Sequence, residues 1–209
     1  SNGLANFRQN PDWLTRDVRF RNPNLSSVCL NHPEFNRKLI ADLKRFAATK
    51  IDGIMLDECY WQREDLCGCQ HCADAFAKAT GEKLPLDSSS STFQNLNDPL
   101  WVKWLQWRQK SIAEWDRMIM NALREVNPTI ENVTYIAQLG GVTGGLIGRQ
   151  WGIDPLTYFS EKTFIGAENM NKNMLGGFRT QEPYWKLFTG FGRALNKPVF
   201  ALTTARSDA

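Results

Sequence analysis

The sequence predicts a parallel α/β fold, and two observations carry that expectation. Short apolar runs alternate with helical patterns along the 209 residues. Polar residues gather at the C-terminal ends of those runs, at Asp57-Glu58, Gln138, Glu168 and Thr203-Thr204. A doubly wound sheet and a (β/α)8 barrel both build their sites at that edge. About five strands are legible, where a barrel needs eight and typically ~250 residues. A barrel would therefore be incomplete in the visible chain, and residues 1–209 are read as a single, partial domain of this kind.

The elements follow in order. "LSSVCL" (25–30) is a short β-like run. Pro33 stands at a favourable first helical position. Phe35, Leu39, Ile40, Leu43, Phe46 and Ala47 then recur at helical spacing on one face. "DGIMLD" (52–57) is a compact buried-strand candidate. Cys72 to Thr80 reads as a short helix closed by Gly81. "LDSSSSTFQNLND" is a loop. From about Asp98 to Val126 a long helical pattern carries Trp101, Trp104, Leu105, Ile112, Trp115, Ile119 and Leu123, and Pro128 ends it. "NVTYIAQ" (132–138) is a strand. "LGGVTGGLIG" holds five glycines in ten residues and reads as a loop at that strand's end. It lacks the Lys-Ser/Thr ending of a phosphate-binding loop. "KTFIGAEN" (162–169) is a strand, 183–195 a helix, and "KPVFALTT" (197–204) a strand.

Composition excludes some functions. The net charge is +3 with no run of Lys or Arg, so nothing marks a nucleic-acid surface. No apolar stretch approaches the ~20 residues that span a bilayer. "SNGLANFRQN" has no apolar h-region, so no secretory leader is visible, and the compartment is open between cytoplasm and exterior. A homo-oligomer is left open. The two histidines, His32 and His71, come with no defined Ser for a Ser-His-Asp triad. Eight Trp and twelve Phe fit a large aromatic core first and a carbohydrate cleft second.

The most informative stretch is "IDGIMLDECYWQREDLCGCQHCADAF" (51–76). An apolar run ends in two adjacent carboxylates, and a C-x-C-x-x-C of Cys67, Cys69 and Cys72 follows within fifteen residues. That spacing brings three thiolates within reach of one metal ion, and a closed zinc site wants four ligands. Cys29, Cys59 and His71 are the candidates for the fourth. Disulfides and inert thiols are the competing readings, although five cysteines do not suit a complete disulfide framework.

"SSVCLNHPEFNRKL", "DGIMLDE" and "CGCQHCADAFAKATGEKLP" together resemble family 42 β-galactosidases and related glycosyl-hydrolase-like (β/α)8 barrels. The resemblance covers roughly residues 26–85 and weakens through 126. It implies a TIM-type barrel and a structural zinc held by Cys29, Cys67, Cys69 and Cys72, with residues 59–85 forming a zinc-stapled loop and short helix. It also implies that Glu58 is the general acid/base. Asp57 stands where that family has Asn. The family's nucleophile, a Glu ending the seventh strand, has no counterpart in "PVFALTT". The metal would then fix the loop that leaves the catalytic strand, holding the carboxylates in place without joining the chemistry.

Glycoside hydrolysis uses two carboxyl groups across the scissile bond. Neighbouring strand residues point to opposite faces, so Asp57 and Glu58 cannot both face one bond while the strand continues. Glu168, ending "FIGAE", is the best partner in the visible chain. One assignment makes Glu58 the acid/base with its nucleophile elsewhere. The other makes Asp57 the nucleophile and Glu168 the acid, an arrangement that resembles α-galactosidase-like barrels, where "DG-apolar-x-x-D" also recurs. The second is preferred because both members are present. Trp61 is read as a sugar platform or a core residue, Gln138 and Asn169 as substrate contacts at the strand ends, and Arg108 as a packing or ion-pair residue. The expected activity is a retaining glycoside hydrolase with a carbohydrate substrate. A catalytically inactive carbohydrate-binding barrel and a zinc-organised interaction domain are the alternatives.

Overall fold

The computed structural model describes residues 9–57, 59–84, 89–137, 147–169 and 178–203. A 3-10 turn, Pro11–Trp13, leads into β1 (Leu14–Arg16) and β2 (Pro23–Val28). Helix α1 (Pro33–Ala47), β3 (Gly53–Met55), α2 (Gln70–Thr80) and α3 (Pro99–Arg124) follow. Then come β4 (Glu131–Ala137), a π-helical turn (Ile147–Trp151), α4 (Pro155–Ser160), β5 (Phe164–Asn169), α5 (Phe178–Leu195) and β6 (Val199–Thr203).

The main sheet has four strands in the order β3-β4-β5-β6, all parallel. The α/β expectation therefore holds for four of the five strands read from the sequence. The fifth is corrected. The run at 25–30 is not a parallel strand of this sheet. Its residues 25–28 fall in β2, which pairs antiparallel with β1 in a separate two-stranded sheet. Three-residue β1 is too short to show a period, and nothing in the sequence marks it as the partner. Helix α4 and the π-helical turn also went unread, because each is barely more than one turn long.

The long helix α3 was legible because its pattern is strong. Asp98 caps it by accepting from the Leu100 N–H, and Pro99 sits where no N–H is needed. All seven apolar residues of its expected face are buried. Phe76 meets Trp104 and Trp107 edge-on at ring distances of 5.5 and 5.7 Å, which locks α2 against α3. The face expected for α1 needs one correction. Phe46 is 60% exposed, and Asn36 is buried in its stead. Asn36 donates to the Leu30 carbonyl and accepts from the Trp115 indole, so its polar atoms are satisfied within the helix interface.

The sheet has two unlike faces. On the helix-covered face, Asn132, Thr134, Ile136, Ile165 and Ala167 are all buried. On the other, Met55, Phe164, Phe200 and Leu202 remain 37–44% exposed. Position 166 falls on that face by alternation with Phe164, and it is glycine because a Cβ there would come within 2.6 Å of both Tyr135 Cβ and Phe200 Cζ.

A buried ion pair pins β4 and β5 to α3. Lys162 Nζ donates to Asp116 Oδ1 at 2.6 Å, with the side chains 0% and 1% exposed. Asn132 donates to the other Asp116 oxygen at 2.9 Å, and the Lys162 ammonium lies 4.6 Å from the Tyr158 ring centroid. Burial pushes the Asp116 carboxyl up and the Lys162 ammonium down, and each opposes the other's shift. Lys162→Met leaves Asp116 buried without its cation, so it should cost about 3–5 kcal/mol. Adding Asp116→Leu should recover most of that loss in denaturant midpoint, since the stranded charge is then gone. A single variant as stable as the wild type would show that the pair is not a constraint.

Candidate metal centre and active-site edge

The two small strands bring the cysteines together. One edge of β1 pairs with β2, and the Cys29 N–H continues that pairing by donating to the Trp13 carbonyl at 2.7 Å. Beyond the other edge, Gly68 N–H donates to Arg16 O at 2.6 Å and Val18 N–H to Asp65 O at 2.9 Å. Cys29 thus meets the C-x-C-x-x-C segment across β1. Asp17 holds the turn between the strands by accepting from the N–H groups of Arg19, Phe20 and Asn22.

The Sγ atoms of Cys29, Cys67, Cys69 and Cys72 all lie within 4.8 Å of one another, and all four residues are buried. Cys29 Sγ is 3.4 Å from that of Cys69 and 3.5 Å from that of Cys72. None is in a disulfide. Four thiolates at about 2.3 Å from a tetrahedral zinc would stand about 3.8 Å apart, so the donor set and its spacing fit such an ion. The neighbouring thiols, Cys29 first, hold Cys69 far below the ordinary thiol range. Cys29 is pushed up, chiefly by its hydrogen bond with Cys67, and Cys72 is pushed up first by burial. A cation is what would let all four ionise together. Of the other candidates for the fourth ligand, Cys59 donates to the Asp57 carbonyl, and the His71 ring packs edge-on against His32 with centroids 4.5 Å apart. His32 itself caps α1.

The glycine between Cys67 and Cys69 is forced by packing. A Cβ at Gly68 would lie 2.6 Å from Val18 Cα and 2.9 Å from Asp17 O, both backbone atoms. Gly68→Ala should therefore lower the thermal midpoint and loosen metal retention together, by pushing the knuckle off β1. An unchanged midpoint with full metal content would contradict the close approach.

The candidate catalytic residues lie at the C-terminal end of the parallel sheet. Asp57 follows β3 and is exposed, and the Tyr135 hydroxyl donates to its Oδ2 at 3.4 Å. Glu168 occupies the register position on β5 opposite Ala137 and Leu202. With β4 between them, Asp57 and Glu168 are two strand spacings apart, roughly 10 Å across the sheet, at its C-terminal end. Asn169 pairs in register with Thr203 at the same end. Glu58 and Gln138 lie outside the described residues.

Trp61 is a correction. It is 1% exposed, and its indole donates to the Arg108 carbonyl at 3.1 Å, so it belongs to the core and offers no open ring. Arg108 is a buried packing residue, as one of its two expected readings has it. Its fully buried guanidinium donates to the carbonyls of Arg149 (2.6 Å), Arg63 (2.5 Å) and Gln150 (2.8 Å), and burial lowers its pKa to about 9. It thereby ties the segment after β3 and the π-helical turn to α3. Arg149 pairs with Glu64 at 2.9 Å, and Tyr60 stacks on Trp151 at 4.8 Å, joining the same two segments. Tyr135 was missed in the sequence, although alternation along β4 puts it beside Gly166, on the face of Phe164.

This is the parallel α/β architecture of a glycosyl-hydrolase-like fold, joined to a four-cysteine cluster. The chain is similar in structure to a β-galactosidase from the psychrophilic Marinomonas ef1, with a TM-score of 0.66 and 10% identity over 94% of this chain and 35% of that one. It is similar to the β-galactosidase of Bacillus circulans sp. alkalophilus, with a TM-score of 0.60 and 14% identity over 90% and 31%. The GH42 exo-carrageenase of Bacteroides ovatus gives 0.56 and 15% over 78% and 26%. The chain thus spans about a third or less of the length of these neighbours, and at these identities they speak for the fold alone. No family model matches the chain, and no curated protein does. Among the described residues, no helix is long and apolar enough to cross a membrane.

Proposed function

We propose that the chain is a glycoside hydrolase that cleaves O-glycosidic bonds with a carboxylate pair and net retention, on an incomplete (β/α)8 barrel of which residues 1–209 form a single partial domain. The observation that carries this reading is the position of Asp57 and Glu168 at the C-terminal end of one parallel sheet, the edge where barrel sites are built. The open apolar face of the sheet supports the barrel, whose interior is lined by bulky apolar side chains. Asp57 is the nucleophile and Glu168 the general acid/base, with Glu58 the alternative acid/base. Gln138 and Asn169 contact the substrate. A carboxylate attacks the anomeric carbon while a protonated partner gives its proton to the departing oxygen. Water then releases the sugar, with the partner now acting as base.

Cys29, Cys67, Cys69 and Cys72 would hold a structural zinc within the loop and short helix of residues 59–85. When bound, the ion supplies cross-linking of that loop and no chemistry at the sugar. A second reading, an inactive carbohydrate-binding barrel, is favoured by one observation: β6, "VFALT", carries no Glu.

A panel of nitrophenyl glycosides separates the two. Turnover of at least one substrate is expected. Glycan-array binding with no turnover would select the second reading, and neither binding nor turnover would defeat both.

A further inference from the structure

We propose that Asn31 is the positioning residue of the four-cysteine centre, donating to the Cys72 sulfur and separating it from a solvent groove. The proposal rests on the metal reading above. Asn31 Nδ2 lies 3.4 Å from Cys72 Sγ and 3.1 Å from Ser111 Oγ, and its two amide hydrogens serve both contacts. The Ser111 hydroxyl donates back to Asn31 Oδ1 at 3.2 Å. An amide oxygen turned toward a thiolate would be repelled, so the nitrogen faces the sulfur. Ser111 is 5% exposed on α3, which gives Asn31 a fixed anchor.

Four thiolates around one dication carry a net charge of about −2 in a buried place. N–H groups aimed at the sulfurs disperse that charge. The backbone supplies one from Arg16, 3.3 Å from Cys67 Sγ. Cys69 is the N-cap of α2. Among the described residues Asn31 supplies the side-chain donor. Asn31 and Ser111 also line a groove of about 500 Å³ between α1 and α3, with Asn36, Glu114 and Trp115 along it. Cys72 is 0% exposed, and Asn31 stands between it and that groove. Removing the amide would take away a donor and open a path to the sulfur in one change.

The test is zinc affinity, measured by competition with a chromophoric chelator, together with the sulfur-to-cobalt charge-transfer spectrum of the Co(II)-loaded protein. Asn31→Ala should weaken zinc binding by ~10–100-fold, speed its loss to the chelator, and shift the charge-transfer band. Asn31→Asp keeps the shape but places a carboxylate against a thiolate, so it should weaken binding at least as much. Ser111→Ala leaves Asn31 in place but unanchored, and a smaller loss is expected. It keeps the test alive if the Asn31 variants do not fold. Unchanged affinity and spectrum in all three variants would overturn the proposal, even if stability fell. A wild-type chain that binds neither metal would overturn the metal reading, and this inference with it.

Discussion

Cys69→Ser is expected to lower the stability of the protein by several kcal/mol and to abolish stoichiometric metal. Structural zinc is worth roughly 10–16 kcal/mol of folding free energy in small zinc domains, and removing one of four ligands forfeits a large part of that. Here the centre joins two segments far apart in the sequence. Cys29 arrives from β2, while Cys67, Cys69 and Cys72 come from the segment entering α2. Chelation of the wild-type protein should produce the same loss, and returning zinc should restore the denaturant midpoint. Elemental analysis of the fresh protein should find about one zinc per chain. A protein without metal and with an unaltered midpoint in Cys69→Ser would show that the cluster is merely four packed thiols.

Asp57→Asn is expected to remove turnover by at least about three orders of magnitude while leaving the fold intact. The two halves of that expectation have separate grounds. A nucleophile replaced by an amide cannot form the glycosyl intermediate, and such losses are large. The structural cost is small because Asp57 is exposed and its carboxylate accepts only a long bond from Tyr135 among the hydrogen bonds described above. Changes at surface positions of this kind usually stay within about 0.5 kcal/mol. Kinetics and a denaturant melt on the same preparation check both. If Glu58→Gln abolishes turnover and Asp57→Asn only weakens it, Glu58 is the acid/base and the nucleophile lies elsewhere.

The legible parts of this fold are those where one physical period dominates. Helix α3 could be read residue by residue because Trp101, Trp104, Ile112, Trp115, Ile119 and Leu123 all serve one buried stripe. The parallel strands β3 to β6 could be read because each is a short apolar run with a polar residue near its end. The cysteine spacing foretold the cluster, since C-x-C-x-x-C keeps three sulfurs local whatever the surrounding fold. What escaped was set by contacts distant in sequence. The β1–β2 pairing that carries Cys29 to Cys67 depends on a three-residue strand and a turn organised by Asp17. Trp61 looked open because it follows the carboxylates. Its burial is decided by Arg108 and Trp151, some 47 and 90 residues away, whose carbonyls accept its indole and backbone N–H. Asn31 gave no sequence signal, because its partners lie on α2 and α3.

The central claim is that Asp57 attacks the sugar. An activated 2-deoxy-2-fluoro glycoside, chosen to match the substrate found in the nitrophenyl panel, would trap the glycosyl-enzyme of a retaining hydrolase, and fragmentation of the labelled peptide would assign it to one side chain. The account predicts one glycosyl unit on the Asp57 side chain, distinguished from adjacent Glu58 by the fragment masses, with none in Asp57→Asn. A label on Glu58, on Glu168 or on any other peptide, or an active protein that takes up no label, would contradict it.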